Sequence, residues 1–494
     1  MARADLKKSD TELSQTFRGS AAAPDLYFKV IGTQEEAYMK KQLIAILCTL
    51  VIVFSSGCNS SSDHTDDMWA LLQEAYIYAL PLVLTDATKT AATNIAAPDH
   101  AGHAPVNQLI HAATLATAEM HLVVTPNVDT LYTQAWLDLK DEPMLYRAPA
   151  SDRFFTVQVL DAWTNTVTVL KEAGDYAIVR AGWRGTLPEG VKRVEVPTNT
   201  VWLICRLIVD NEEDLPRVHA LQNKMRLVPL SAYDTIDTFI PPSGTYDEEN
   251  DFVPVNHVLA MTPQEFFDAA NLLMQDNPPA AEDARAVSRF AKLGIGPGLF
   301  FSAEIFGTEL ADKWREMLTG LRPLLAEEAM NYTQYLGDWS YYGDPVGDFG
   351  TAYTYRALVA LVGLGANTTE IAIYPKLDRD HYGEKLTGTK RYVLHLDSVP
   401  PILANGFWSF TVYGDDDFLI ANPIGRYCIN DRSSCKYNED GSLDIIISRE
   451  APAEGADNWL PVGENGFHLV LRIYYPDMDA LAAWPAPTIS LSEG

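Results

Sequence analysis

The sequence predicts an α+β, β-rich protein: two antiparallel β-sandwich or barrel-like domains with a helical layer or insert between or against them. Three observations carry this expectation. From Thr130 to Val209, short runs of β-branched and aromatic residues such as Phe154–Val159 and Thr166–Leu170 alternate with Gly, Asp and Pro, the texture of strands joined by turns. Between about Asn211 and Tyr332 the apolar residues recur at helical spacing. Strand texture then resumes from Tyr392 to Tyr475, so a second β-rich domain follows. A chain of 494 residues that is 47% hydrophobic can bury domain-sized cores, which excludes a disordered polypeptide.

The chain begins with a polar stretch, residues 1–38, that shows no periodicity. Met39 is followed by Lys40 and Lys41, the apolar run Leu43–Phe54, and then Ser55-Ser56-Gly57-Cys58. Twelve apolar residues reach about 18 Å as a helix against roughly 30 Å of bilayer hydrocarbon. The run therefore suits the core of a secretory signal peptide with a lipoprotein-type cleavage site, Cys58 taking the lipid, although Ser55 stands where Leu is usual. A short inner-membrane anchor is the alternative. Met39 is the expected start, making residues 1–57 a spurious extension plus signal; a cytoplasmic tail ahead of an anchor is the competing reading. By resemblance to bacterial lipoproteins, Asn59 permits sorting to the outer membrane. The expected location is the bacterial envelope, lipid-anchored and facing the periplasm.

Three segments follow. Residues 66–210 form an N-terminal β-rich domain with leading helices at Asp66–Asn94, where Pro81 kinks or ends the first part, and at Val106–Glu119. Residues 211–350 form a helical layer, with helices at Glu212–Lys224, Pro263–Met274, Ala281–Leu293 and Ala303–Tyr332. Residues 351–490 form the C-terminal β-rich domain.

The formal charge of −29 excludes a nucleic-acid binder, because affinity for phosphates rests on clustered Lys and Arg. Cysteine usage suits an oxidising compartment: Cys428 and Cys435 bracket the hydrophilic turn Asn430–Ser434 and are expected to form a disulfide, whereas Cys205 reads as a buried small hydrophobe. His100, His103, His111 and His121 lie close together but repeat no ligand spacing, and Asp378–Gly383 lacks the later ligands of a calcium loop. No metal and no cofactor are expected. Signatures of α/β-hydrolases, zincins and nucleotide hydrolases are absent, and Gly294-Ile295-Gly296-Pro297-Gly298 follows a helix rather than a strand, so it reads as a turn.

Two dense groups of motifs remain. The first is Thr125-Pro126-Asn127-Val128-Asp129-Thr130-Leu131-Tyr132 with Asp161-Ala162-Trp163-Thr164-Asn165; the second is Gly406–Tyr413 with Asn422–Tyr427, Asn458–Pro461 and Leu471–Pro476. These blocks resemble the paired bacterial domain-of-unknown-function families 1254, over roughly residues 68–200, and 1214, over roughly residues 370–480. The resemblance implies a secreted or envelope β-rich protein and carries over no catalytic residue.

The residues themselves allow two functional readings. In the first, the protein is a metal-independent hydrolase of a small polar or carbohydrate-like molecule. Asp129 is then the base and Asp161 its partner, with Asn127, Tyr132, Trp163 and Asn165 around the pocket. Arg426, beside Asn422, clamps an anion, and Trp408 and Tyr413 offer a stacking platform. In the second, the protein is a non-catalytic ligand-binding or scaffold lipoprotein. Asn127 and Asp129 then fix a turn, Arg426 stitches strands, and the aromatics fill cores. The expected partners are a small molecule and, through the lipid, a membrane; oligomeric state is open.

Overall fold

The structure is a computed structural model, and it describes residues 62–99, 102–121 and 124–492. The signal-like run, Cys58, where lipidation is expected, and His100 lie outside the described residues.

A long helix, α1 (Ser62–Thr93), opens the described chain. It continues through Pro81 rather than ending there, because its middle, from Ala75 to Leu84, is enclosed by other helices and that packing offsets the backbone bond proline removes. The expected helix over Val106–Glu119 does not form. Asn107 adopts a left-handed φ of 63°, and Asn107 and Ala112 give their backbone N–H groups to Trp136 and Tyr132, so this segment becomes an edge of the first sheet.

The first β-rich unit contains β1 (Ile110–His111), β2 (Thr130–Asp138), β3 (Met144–Ala148), β4 (Phe155–Asp161), β5 (Thr166–Leu170), β6 (Gly174–Arg180), β7 (Lys192–Val196), β8 (Thr200–Ile208) and, after α2 (Leu215–Gln222), β9 (Arg226–Pro229). They form two open sheets, β1-β2-β8-β4-β5 and β7-β6-β3-β9, antiparallel except for the β6–β7 pair. Inward residues of both sheets, including Leu131, Val157, Leu203, Tyr146 and Ile178, share one apolar core, so the unit is a sandwich.

The helical layer follows: α3 (Pro254–Ala260), α4 (Pro263–Asp276), α5 (Ala284–Phe290) and α6 (Leu310–Ala329). Thr262 and Glu265 close a reciprocal capping box at the start of α4. These helices and α7 (Tyr353–Gly363) surround α1 in a second core rich in Phe and Trp.

The C-terminal unit contains β10 (Thr333–Leu336), β11 (Trp339–Tyr342), β12 (Ala372–Ile373), β13 (Lys376–Leu377), β14 (Tyr392–Leu396), β15 (Ile402–Gly414), β16 (Cys428–Asn430), β17 (Leu443–Ser448), β18 (Trp459–Pro461), β19 (Phe467–Pro476) and, after α8 (Met478–Leu481), β20 (Thr488–Leu491). Its sheets run β10-β11-β13-β19-β15-β16 and β18-β17-β14-β20, with β12 also on β19. They share a third core. The architecture is thus the expected β-rich α+β, built from open sheets rather than barrels.

The expected Cys428–Cys435 disulfide is absent: both thiols are free. Cys428 packs beside Val128 and Tyr413, whereas Cys435 packs into the sandwich core beneath the same sheet. The intervening turn sends the two side chains to different clusters, which prevents the bond.

Candidate functional site: the seam between the two sandwiches

Alternation along β15 and β19 creates the site. On β15, Trp408, Phe410 and Val412 enter the C-terminal core, as do Phe467, Leu469, Leu471 and Ile473 on β19. The intervening side chains therefore point the other way. Register pairs Phe407 with Tyr474, Ser409 with Arg472 and Tyr413 with His468, giving a buried sheet face that carries hydroxyls, an imidazole and a guanidinium.

The segment Thr125–Asp129 of the first unit lies across this face. Fully buried Asp129 accepts hydrogen bonds from Ser409 Oγ (2.5 Å), Asn430 Nδ2 (3.1 Å) and Arg432 Nη2 (2.6 Å). Arg472 donates to Thr125 O (2.9 Å), Tyr413 Oη (2.6 Å) and Thr411 Oγ1 (3.0 Å). Tyr413 donates to Pro126 O at 2.7 Å, and Asn127 Nδ2 to Tyr474 Oη at 2.9 Å. Burial raises the Tyr413 hydroxyl to about 12 even though Arg472 opposes the shift. Burial likewise pushes the Asp431 carboxyl up to about 6, with Arg432 opposing. Further along the face, His468 Nε2 lies 3.2 Å from Asp417 Oδ1, which is 3.4 Å from Lys376 Nζ. Burial holds the His468 imidazole well below its ordinary value, and neighbouring Lys376 and Arg472 lower it further.

The first unit offers its own outward face to the seam. Arg206 on β8 sits between Tyr132 on β2 and Thr156 on β4. Arg206 is 6% exposed. Its Nη1 donates to Gln158 Oε1 at 2.8 Å and its guanidinium lies 5.5 Å from the Tyr132 ring centre. Burial works against its charge, but the phenols of Tyr132, Tyr374 and Tyr474 favour it and leave the pKa raised. No carboxylate among the described residues lies within ion-pair distance of Arg206. Its Nε has no partner, nor have the hydroxyls of Thr130, Thr156 and Thr368 or the Asn367 carbonyl. Tyr132 and Tyr374, whose phenols act on Arg206, are half-buried.

The residues singled out from sequence divide accordingly. Asn127, Asp129, Tyr132 and Tyr413 meet in the seam. Asp161, Trp163 and Asn165 do not. Asp161 accepts from the backbone N–H groups of Trp163 and Asn165 at 2.8 and 2.9 Å and from the Asn165 amide, while the Trp163 ring packs on Tyr78 in the helical core. The positions beside Asp129 and Asp161, Val209 and Val201, are eight residues apart along β8 and its continuation, about 26 Å of strand. The two carboxylates cannot share a proton-transfer step. Arg426 clasps the carbonyls of Ala456, Asp457 and Trp459. Asn422 closes its own turn through Arg426, and Trp408 is buried in the sandwich core. Sequence reading missed Ser409, Asn430, Arg432, Arg206 and His468 as site residues. The signal available was polar residues at alternate positions of two otherwise apolar strands.

Two stretches of the chain match known family descriptions. Residues 106–229 match the family described as Protein of unknown function (DUF1254), and residues 371–478 match that described as DUF1214. The chain pairs a DUF1254 segment with a DUF1214 segment. The segment Thr125–Asp129 and Arg206 lie in the part that matches DUF1254, and the face they meet lies in the part that matches DUF1214. The crystal structure of the VPA0106 protein from Vibrio parahaemolyticus is similar over 86% of this chain and 100% of its own, with 23% identity and a TM-score of 0.64, a likeness of fold. An uncharacterized protein from Burkholderia cenocepacia aligns over 94% of this chain and 98% of its own at 12% identity and a TM-score of 0.39. No curated protein matches the chain.

Proposed function

We propose that the protein is a non-catalytic binding lipoprotein of the bacterial envelope, tethered through Cys58, which takes a small carboxylate-bearing molecule at Arg206 between its two sandwiches. One observation carries the reading. Arg206 is a buried guanidinium surrounded by phenols, with an unpartnered Nε and no carboxylate among the described residues to balance it. A buried charge needs a counter-charge, and the fork of an arginine matches a carboxylate. The unpartnered hydroxyls of Thr130 and Thr156 add polar groups for the rest of such a ligand. Half-buried Tyr132 and Tyr374 are the side of the cluster from which it enters.

The geometry favours this reading over the hydrolytic one. Asp129 gives three acceptor positions of its carboxylate to Ser409, Asn430 and Arg432, and Asp161, its expected partner, is at the other end of the sheet.

Calorimetric titration of the full chain with acetate, lactate and benzoate, each beside its neutral amide, tests the proposal. At least one acid is expected to bind at least tenfold more tightly than its amide, and Arg206→Gln removes that preference. Equal binding of acids and amides refutes the anion site. Conversion of any bound compound, followed by mass spectrometry, restores the hydrolase. Labelled palmitate incorporation that persists in Cys58→Ala removes the tether.

A further inference from the structure

One tightly held loop of the helical layer turns large apolar side chains to the surface. Leu299 is 38% exposed, Phe300 89% and Ile305 49%, and Leu272 on the neighbouring α4 is 65% exposed. Scattered apolar residues on a surface are ordinary, but a cluster of large ones marks an interaction site.

The loop that carries them is held rather than loose. Buried Asn271 donates to Gly294 O at 2.9 Å and Leu299 O at 3.0 Å, and accepts from Gly296 N–H at 2.7 Å. Gly294 has φ +72°, and a Cβ there would meet Phe300 O at 2.1 Å, so only glycine allows the loop to fold back so tightly. Phe301 turns inward onto Phe267 (4.8 Å between ring centres) and Phe306 (6.0 Å), and Phe306 packs on Trp69 of α1 at 4.8 Å. With Phe301 anchoring the loop, Leu299 and Phe300 are presented outward.

Position within the chain identifies what this tip meets. Trp69 lies seven residues after Ser62, where the described helix begins, about 10 Å along α1; Cys58 is four residues earlier. Trp69 also borders a groove of about 330 Å³ between α1 and α6, lined by Leu72, Trp314, Met317 and Leu324 together with Lys313 and Glu316. Trp69, against which the loop packs through Phe306, is thus eleven residues after the proposed tether site. A single acyl chain gives marginal, reversible attachment, and a second membrane contact makes it firm.

We propose that Leu299, Phe300 and Ile305 form a membrane-inserting tip that lays the helical layer against the bilayer holding the Cys58 lipid. This rests on the envelope placement proposed above and is independent of the Arg206 site. Net acidity makes the insertion apolar rather than electrostatic, so it favours zwitterionic over anionic lipid.

A photoreactive benzoylphenylalanine installed at Phe300 of the full chain, irradiated in its native envelope, is expected to give lipid adducts. Protein adducts in their place overturn the proposal in favour of a protein partner, and absence of both overturns it in favour of a solvated loop. In parallel, full chain carrying Cys58→Ala is partitioned onto phosphatidylcholine vesicles with and without Leu299→Ser, Phe300→Ser and Ile305→Ser. The serine set is expected to weaken partitioning at least tenfold, whatever the uncut signal contributes to both; an unchanged coefficient refutes the tip. Palmitate labelling at Cys58 reads the tether alone, so its failure is distinguishable from failure of the tip.

Discussion

Asp129 and Asp161 are buried carboxylates at opposite ends of the same sheet, and they differ in where their partners come from. Asp161 is held by donors two and four residues away, so it closes a turn that docks onto the helical layer through Asn165 and Phe349. Asp129 is held by Ser409, Asn430 and Arg432, so it joins two sandwiches. A carboxylate's burial does not reveal its role; the sequence distance to its donors does.

Substitution is expected to separate the two. Asp129→Ala leaves Arg432 facing the seam with only Asp431 for company and costs about 3 kcal/mol, read by urea unfolding. Asp161→Ala loses turn hydrogen bonds and costs about 1–2 kcal/mol. Asparagine sharpens the contrast. At Asp161 the turn needs an acceptor, and burial already raises that carboxyl's pKa, so Asp161→Asn keeps a near-native Tm. At Asp129 the ion pair needs the charge, and Asp129→Asn lowers Tm clearly. Equal losses for the two asparagine variants would break the comparison.

Smaller effects follow from protons in the seam. The Asp431 carboxyl is raised to about 6 by burial, so its contribution to stability is full below its unfolded value of about 4 and is lost as pH rises through about 6. Asp431→Asn therefore flattens the stability profile over that window. His468 has the opposite sign. Its pKa is depressed in the fold, so stability is present above about 6.5 and falls as acid charges the unfolded chain first. A drop of about 1 kcal/mol between pH 6.5 and 5.5 should vanish in His468→Gln; a drop that persists assigns the acid sensitivity elsewhere. The smallest expected effect is that of reductant. Because Cys428 and Cys435 are free, both take up an alkylating agent in denaturant alone, and Tm is unchanged by dithiothreitol.

Much of the scaffold was legible in the sequence because it is written in local chemistry. Thr166–Leu170 is a strand as expected, and the helices after Pro263 and Ala303 follow their apolar spacing. The segment after Val106 was misread because its backbone partners sit on β2, more than twenty residues away. The α7 helix within the expected C-terminal β region was also missed, its apolar side chains finding their place against α1. Among site residues, Asp129 and Asn127 were visible as a motif, but their partners lay around 300 residues further on.

By itself, the sequence determined the α+β class, the alternation that gives each strand one apolar face, and the Asx turn at Asp161, since all three depend on residues within a few positions of one another. Only the tertiary structure decided that the polar faces of two sandwiches meet, that Asp129 ties one to the other, and that Arg206 is buried with no carboxylate of the described residues at ion-pair distance. Those facts rest on contacts between distant segments, and no periodicity or spacing encodes which polar face a folded chain will turn toward which.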